Sequence, residues 1–209
     1  MNINIVAGGP IDLQTLKKYY SDITIGVDNG AYRLMKADFK LDIAIGDFDS
    51  ITSEQLTEIR EVCKNVKKYN PVKNKSDTEL ALDFALSLNP NVVNIFGVTG
   101  KRIDHFLSVL YLFHKVLHKV IKLNIIDEYN KIYVLKPGTH KVKKTHFHYI
   151  SFFSFDECVT GFTIEGFKYP LKNHTIKNDD SLCVSNEIVS DFGIITFSSG
   201  ILLIVESID

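Results

Sequence analysis

The 209-residue chain carries 24 Lys and Arg against 25 Asp and Glu, with 45% apolar and 11% aromatic residues. This balance, a formal net charge of −1, excludes recruitment of nucleic acid or an anionic membrane by a global field. No apolar run approaches the ~18 residues of a membrane span, and phosphate chemistry would have to rest on cations gathered locally.

In chain order, Ile3 to Ala7 reads as a strand broken by Gly8-Gly9-Pro10, and Leu13 to Tyr20 as a helix. Met1 to Val6 holds no basic leader ahead of that strand, so a secretory signal is not expected. Ile23 to Val27 is a second strand, Ala31 to Met35 a short helix, Asp42 to Ile45 a third strand and Ser53 to Cys63 a helix. Glu79 to Leu88 has apolar residues at helical spacing; Val92 to Phe96 is the fourth strand, and His105 to Leu117 another helix. Alternation of this kind predicts βαβ units and a mainly parallel sheet.

From about residue 120 the pattern changes to β-branched and aromatic segments: Lys131 to Leu135, Tyr149 to Phe155 and Gly161 to Ile164. Gly193 to Phe197 and Ile201 to Val205 flank Ser198-Ser199-Gly200, a hairpin signal. The expected organisation is an α/β domain over residues 1–125 and a smaller all-β domain over 126–209. Cys63, Cys158 and Cys183, odd in number and without a CxxC pair, read as reduced packing residues in a cytoplasmic protein.

Ligands of open parallel sheets sit beyond the carboxyl ends of the strands, and those loops are rich here in Asp and Gly. The third strand ends in Gly46-Asp47-Phe48-Asp49-Ser50. While the chain stays extended, Asp47 and Asp49 point the same way and Phe48 turns into packing. Two such carboxylates suit Mg²⁺, although a polar turn accounts for the pair on its own. Asp28, in Val27-Asp28-Asn29-Gly30-Ala31, is read either as a ligand or as a helix N-cap, and alone the cap suffices.

Within Lys73-Asn74-Lys75-Ser76-Asp77-Thr78-Glu79, Ser76 and Glu79 make a capping-box pattern. The box leaves Lys73 and Lys75 unexplained; lysines at a helix start make a phosphate site, and Asp77 beside them could be a further carboxylate for the metal. The fourth strand runs into Gly97-Val98-Thr99-Gly100-Lys101-Arg102-Ile103-Asp104-His105. Glycines, a hydroxyl and two cations at such a turn suggest a polyphosphate cradle, though not a Walker A loop. Arg102 offers bidentate contacts that Lys101 cannot, and His105 serves equally as a capping or packing residue. Carboxylates at successive loops with cations among them are what Mg²⁺-assisted phosphoryl transfer needs.

These segments resemble the bacterial thiamine pyrophosphokinase family. The resemblance rests on Asp28-Asn29-Gly30-Ala31, Gly46 to Ser50, Lys75 to Leu82 and Gly100 to His105. It continues in Gly166 to Leu171, Val184-Ser185-Asn186-Glu187 and Gly200 to Leu203, so that it spans nearly the whole chain. It implies a Rossmann-like sheet domain followed by a β-sandwich, and a homodimer with active sites between subunits. It implies Mg²⁺-dependent transfer of the β,γ-diphosphate of ATP to the hydroxyl of thiamine, giving thiamine diphosphate and AMP. Carried over by motif, Asp47, Asp49 and Asp77 would hold Mg²⁺ with Asp28 close by. Asp28, Lys75, Thr99, Gly100, Lys101 and Arg102 would line the ATP site. Asp104 would orient or deprotonate the thiamine alcohol, with His105 nearby and Ser185 and Asn186 lining the aminopyrimidine pocket. Two positions depart from the pattern: Asn29 replaces a glycine, where Asn tolerates positive φ, and Ser108 stands where an Asn is expected.

Three other readings compete. A hydroxymethyldihydropterin pyrophosphokinase of related fold changes the acceptor, and Ser185-Asn186 argues for thiamine. A haloacid dehalogenase-like phosphohydrolase would use Asp47 as nucleophile, but carries its paired aspartates at the first strand, where this chain has Ala7-Gly8-Gly9. A non-catalytic nucleotide sensor would have no need of the full carboxylate set.

Overall fold

The structure, a computed structural model, describes residues 1–70, 74–100 and 102–209. The chain forms two compact units, Met1–Glu128 and Tyr129–Asp209, dividing after the sixth strand. Among the described residues no helix is long and apolar enough to cross a membrane.

The first unit runs β1 (Asn2–Val6), α1 (Leu13–Lys17), β2 (Ile23–Val27), α2 (Asn29–Lys36), β3 (Ile43–Gly46), α3 (Ser53–Val62) and β4 (Asn65–Lys68). It continues with α4 (Asp77–Ser87), β5 (Val92–Phe96), α5 (Ile103–Leu110), a 3₁₀ turn (Tyr111–Val116) and β6 (Lys122–Ile126). The expected helix from His105 to Leu117 thus begins two residues earlier and tightens into 3₁₀ after Leu110. The strands pair in parallel in the order β4-β3-β2-β1-β5-β6. The apolar runs of β1, β2 and β5 are buried on both faces because helices cover both sides. Thr52 and Gln55 close a full capping box on α3.

Three asparagines share one line across the sheet. Asn4, Asn94 and Asn124 are register partners, with Asn94 Nδ2 donating to Asn4 Oδ1 (3.0 Å) and Asn124 Nδ2 to Asn94 Oδ1 (2.8 Å). Asn4 Nδ2 ends the row on the Tyr19 carbonyl (2.8 Å). A one-residue slip would orphan these amides, so the row fixes the register of β1, β5 and β6.

The second unit holds β7 (Asn130–Leu135), β8 (Gly138–Lys143), β9 (Tyr149–Ser154), β10 (Cys158–Glu165), β11 (Leu171–Lys177), β12 (Phe192–Phe197) and β13 (Leu202–Ser207). β13 pairs antiparallel with β7 and β9, and the order β11-β10-β12-β8 makes a second antiparallel sheet. Phe152, Leu202 and Ile204 from one sheet meet Phe162, Ile195 and Phe197 from the other in one buried core, the arrangement of a sandwich. The Ser198-Ser199-Gly200 turn is not a hairpin: β12 and β13 lie in different sheets, and the chain crosses between them here. Gly200 (φ +85°) makes the crossing feasible, since a Cβ there would lie 2.1 Å from the Cys158 carbonyl. Cys63 and Cys183 are buried, and burial pushes the Cys183 thiol up to about 11, as suits a packing residue.

Candidate active site

Strand order reverses between β1 and β5, and a cavity of about 900 Å³ opens at that point in the first unit. Its walls include Gly8, Gly9 and Pro10 after β1, Asp28 after β2, and Gly97, Thr99 and Gly100 after β5. Ser76, Asp77 and Thr78 at the start of α4, with Arg102, Asp104 and His105 at the start of α5, complete it. A switch point of this kind is where open α/β sheets hold ligands.

Asp28, Asp47 and Asp77, far apart in sequence, each bring one carboxylate oxygen to within 4.8 Å of the others. Asp28 occupies the N-cap position of α2 but makes no side-chain cap; its backbone (φ 47°, ψ −120°) turns the carboxylate away from the helix. Oδ1 instead accepts the Phe48 N–H at 3.1 Å. The positive φ that the sequence suggested for Asn29 therefore belongs to Asp28, and Asn29 is the first helical residue. Gly46 leaves room for this arrangement, because a Cβ there would lie 1.8 Å from Asp28 Oδ1. Asp77 is the first residue of α4, with Ser76 Oγ capping Glu79 N–H at 3.2 Å.

Burial pushes the Asp28 carboxyl up to about 7; Asp77, Asp47 and Asp49 add to the rise and the Phe48 N–H opposes it. Above its unfolded value of 3.8, such a group is bound by its proton more tightly in the native chain. Its stabilising contribution is full below that value and is lost as pH rises through about 7. In metal-free protein, Asp28→Asn should flatten the fall of Tm across this window; a variant tracking the wild-type profile would contradict the burial argument. Three hard oxygen donors at this spacing, one of them reluctant to carry charge alone, fit a divalent cation such as Mg²⁺.

Asp49 does not join the three. The chain is not extended at Phe48, which is left-handed (φ 60°) with its ring buried in the core. That turn sends Asp49 to the surface, its N–H donating to Asp47 Oδ1 at 3.1 Å. Asp104 lines the cavity but stands outside the cluster, paired with Arg102 through Nε–Oδ1 (3.2 Å) and Nη2–Oδ2 (2.5 Å). The Arg102 guanidinium holds the exposed Asp104 carboxyl down at about 2.

Lys75 turns along α4 to Asp83 (2.6 Å), whose other oxygen takes Lys115 (2.6 Å), itself bound to Glu79 (2.8 Å). Thr99, Gly100 and His105 lie on the cavity wall, as does Ser108, whose hydroxyl donates to the His105 carbonyl at 2.7 Å. Lys73 and Lys101 lie outside the described residues. Sequence reasoning gave no role to Arg33, which also lines the cavity. A lone Arg on a short helix carries no motif that marks it.

In the second unit Ser185 is exposed, in the left-handed region (φ 56°), with its N–H on Ser151 Oγ at 2.9 Å. Asn186 is buried and its amide is used internally. It donates to the Tyr169 carbonyl (2.8 Å) and accepts from the Tyr169 and Glu187 N–H groups (3.1 and 2.9 Å). It thereby ties two loops and holds Ser185 in place.

Residues 16–125 match the family described as "Thiamin pyrophosphokinase, catalytic domain", and residues 139–202 match "Thiamin pyrophosphokinase, vitamin B1 binding domain". The thiamine pyrophosphokinase of Bacillus subtilis (strain 168) is 40% identical over 211 residues, covering 99% of both chains. The crystal structure of thiamine pyrophosphokinase from Bacillus subtilis matches with a TM-score of 0.93 at 39% identity, covering 100% of both chains. That of Geobacillus thermodenitrificans gives 0.90 at 35% identity, over 100% of this chain and 98% of the other.

Proposed function

The chain belongs to the thiamine pyrophosphokinase family, and we propose that it transfers the β,γ-diphosphate of ATP to the hydroxyl of thiamine, releasing AMP. The observation that carries this reading is the convergence of Asp28, Asp47 and Asp77, two of which, Asp28 and Asp77, line the cavity at the switch point of the sheet. These three would hold Mg²⁺, with Asp49 beside them. When bound, the ion would supply charge neutralisation along the phosphate chain. Thr99, the Gly100 backbone, Lys101 and Arg102 would hold phosphate oxygens at the start of α5, where the helix dipole favours negative charge. Lys75 would have to leave Asp83 to join them.

The alcohol oxygen attacks the β-phosphorus in line, and the bond from that phosphorus to the α-phosphate oxygen breaks. AMP departs with that oxygen and the hydroxyl proton is released to solvent, with cationic donors stabilising the developing charge. Asp104, held near 2 by Arg102, is a weak base in this state; its task is to accept the hydrogen bond of the alcohol and aim its oxygen, with His105 alongside. The second unit would take the aminopyrimidine ring, Ser185 supplying a contact and Asn186 positioning it. Ile103, Leu107 and Tyr111 are exposed at four-residue spacing along α5 and the turn that follows. That stripe is an apolar surface that a second copy of the chain would cover, in keeping with a homodimer; the expected setting is the cytoplasm. Incubation with ATP, Mg²⁺ and thiamine should yield AMP and thiamine diphosphate in equal amounts; release of ADP or free phosphate would defeat the transfer mechanism.

A further inference from the structure

We propose that Arg33 is a nucleotide-binding residue of this cavity, its guanidinium taking oxygens of the ATP phosphate chain; the inference rests on the diphosphate-transfer reading above. α2 buries Gly30, Ala31 and Leu34, which leaves Arg33 exposed on its flank against the loop that follows β1. There Nη1 donates to the Gly9 carbonyl at 2.5 Å, and the Gly9 N–H donates in turn to the Gly97 carbonyl at 2.8 Å. Arg33 is thus fastened to the two glycine loops of the cavity by a neutral acceptor.

Charge accounting favours Arg33 over its neighbours. Arg102 is matched by Asp104, and Lys75 by Asp83. Arg33 pairs with no carboxylate among the described residues, so its charge stays available. A polyphosphate entering a cavity already lined by the Asp28 and Asp77 carboxylates needs such a cation. The guanidinium fork has five N–H donors; one bond to Gly9 leaves Nη2 and Nε for two phosphate oxygens. The bond to Gly9 pre-orients the fork, so little freedom is lost on binding.

The test is calorimetric titration of the intact protein with the Mg²⁺ complex of a non-hydrolysable ATP analogue, and separately with thiamine. Arg33→Gln should weaken the nucleotide analogue about ten- to a hundredfold, the range for charge-assisted hydrogen bonds, and leave thiamine affinity and Tm unchanged. Arg33→Lys, which keeps the charge but not the fork, should fall between. Equal nucleotide affinity in wild type and Arg33→Gln overturns the assignment. So does a parallel loss of thiamine affinity and Tm, which would make Arg33 a loop clamp alone. Failure of the wild-type protein to bind the analogue would overturn the diphosphate-transfer reading itself.

Discussion

Asp47→Asn should lower kcat/KM about a thousandfold or more and leave the fold intact. Asn retains an oxygen that can accept the Asp49 N–H, so the turn after β3 keeps its internal bond. What is lost is one of three carboxylates whose oxygens meet within 4.8 Å. Metal-held phosphate contributes several kcal/mol of transition-state stabilisation, and each ~1.4 kcal/mol is tenfold in rate. Asp49→Asn should cost less, because Asp49 is exposed and lies outside the cluster. Steady-state AMP release and thermal melting of both variants check the order; a loss under tenfold in Asp47→Asn, or a larger one in Asp49→Asn, would contradict the assignment.

Gly46→Ala should cost about a hundredfold in activity with no functional group removed. The added methyl would lie 1.8 Å from Asp28 Oδ1, and the backbone at φ +156° adds strain. Asp28 must move, and with it the oxygen that holds the Phe48 N–H. A displacement of about 1 Å in a positioning group is enough for a loss of this size. Near-normal turnover in Gly46→Ala would mean that Asp28 is not needed where the structure puts it.

The parallel sheet was legible because its strands are continuous apolar runs separated by helical periods, and only buried βαβ units produce that pattern. The strands left unread, β4, β8 and β11, are sheet edges with the sequences NVKK, GTHKVK and LKNHTIK. Edge strands expose one side and discourage further pairing with lysines, which erases the alternation used to find them. β6 (KLNII) fell where the pattern changes, and Asn124 of the buried amide row breaks its apolar run. The β12–β13 turn misled because a glycine turn has the same composition whether the chain folds back within a sheet or crosses to the next.

At the site, residue types and loops were readable; side-chain direction was not. Left-handed φ values at Asp28 and Phe48 decide that Asp28 joins Asp47 and Asp77 while Asp49 faces solvent. Nothing in Asp-Phe-Asp announces this, since Phe seldom adopts positive φ. The Lys75–Asp83 and Arg102–Asp104 pairs were invisible for a related reason: the cations were read against a ligand, and these carboxylates compete for them.

In the proposed mechanism Asp28, Asp47 and Asp77 jointly hold one divalent ion on which transfer depends. Titration with Mn²⁺, read by electron paramagnetic resonance in the presence of a non-hydrolysable ATP analogue, tests it directly. Tight Mn²⁺ binding in the wild type, lost in Asp28→Asn, Asp47→Asn and Asp77→Asn alike, is the predicted result. Unchanged Mn²⁺ affinity in these three variants would contradict it.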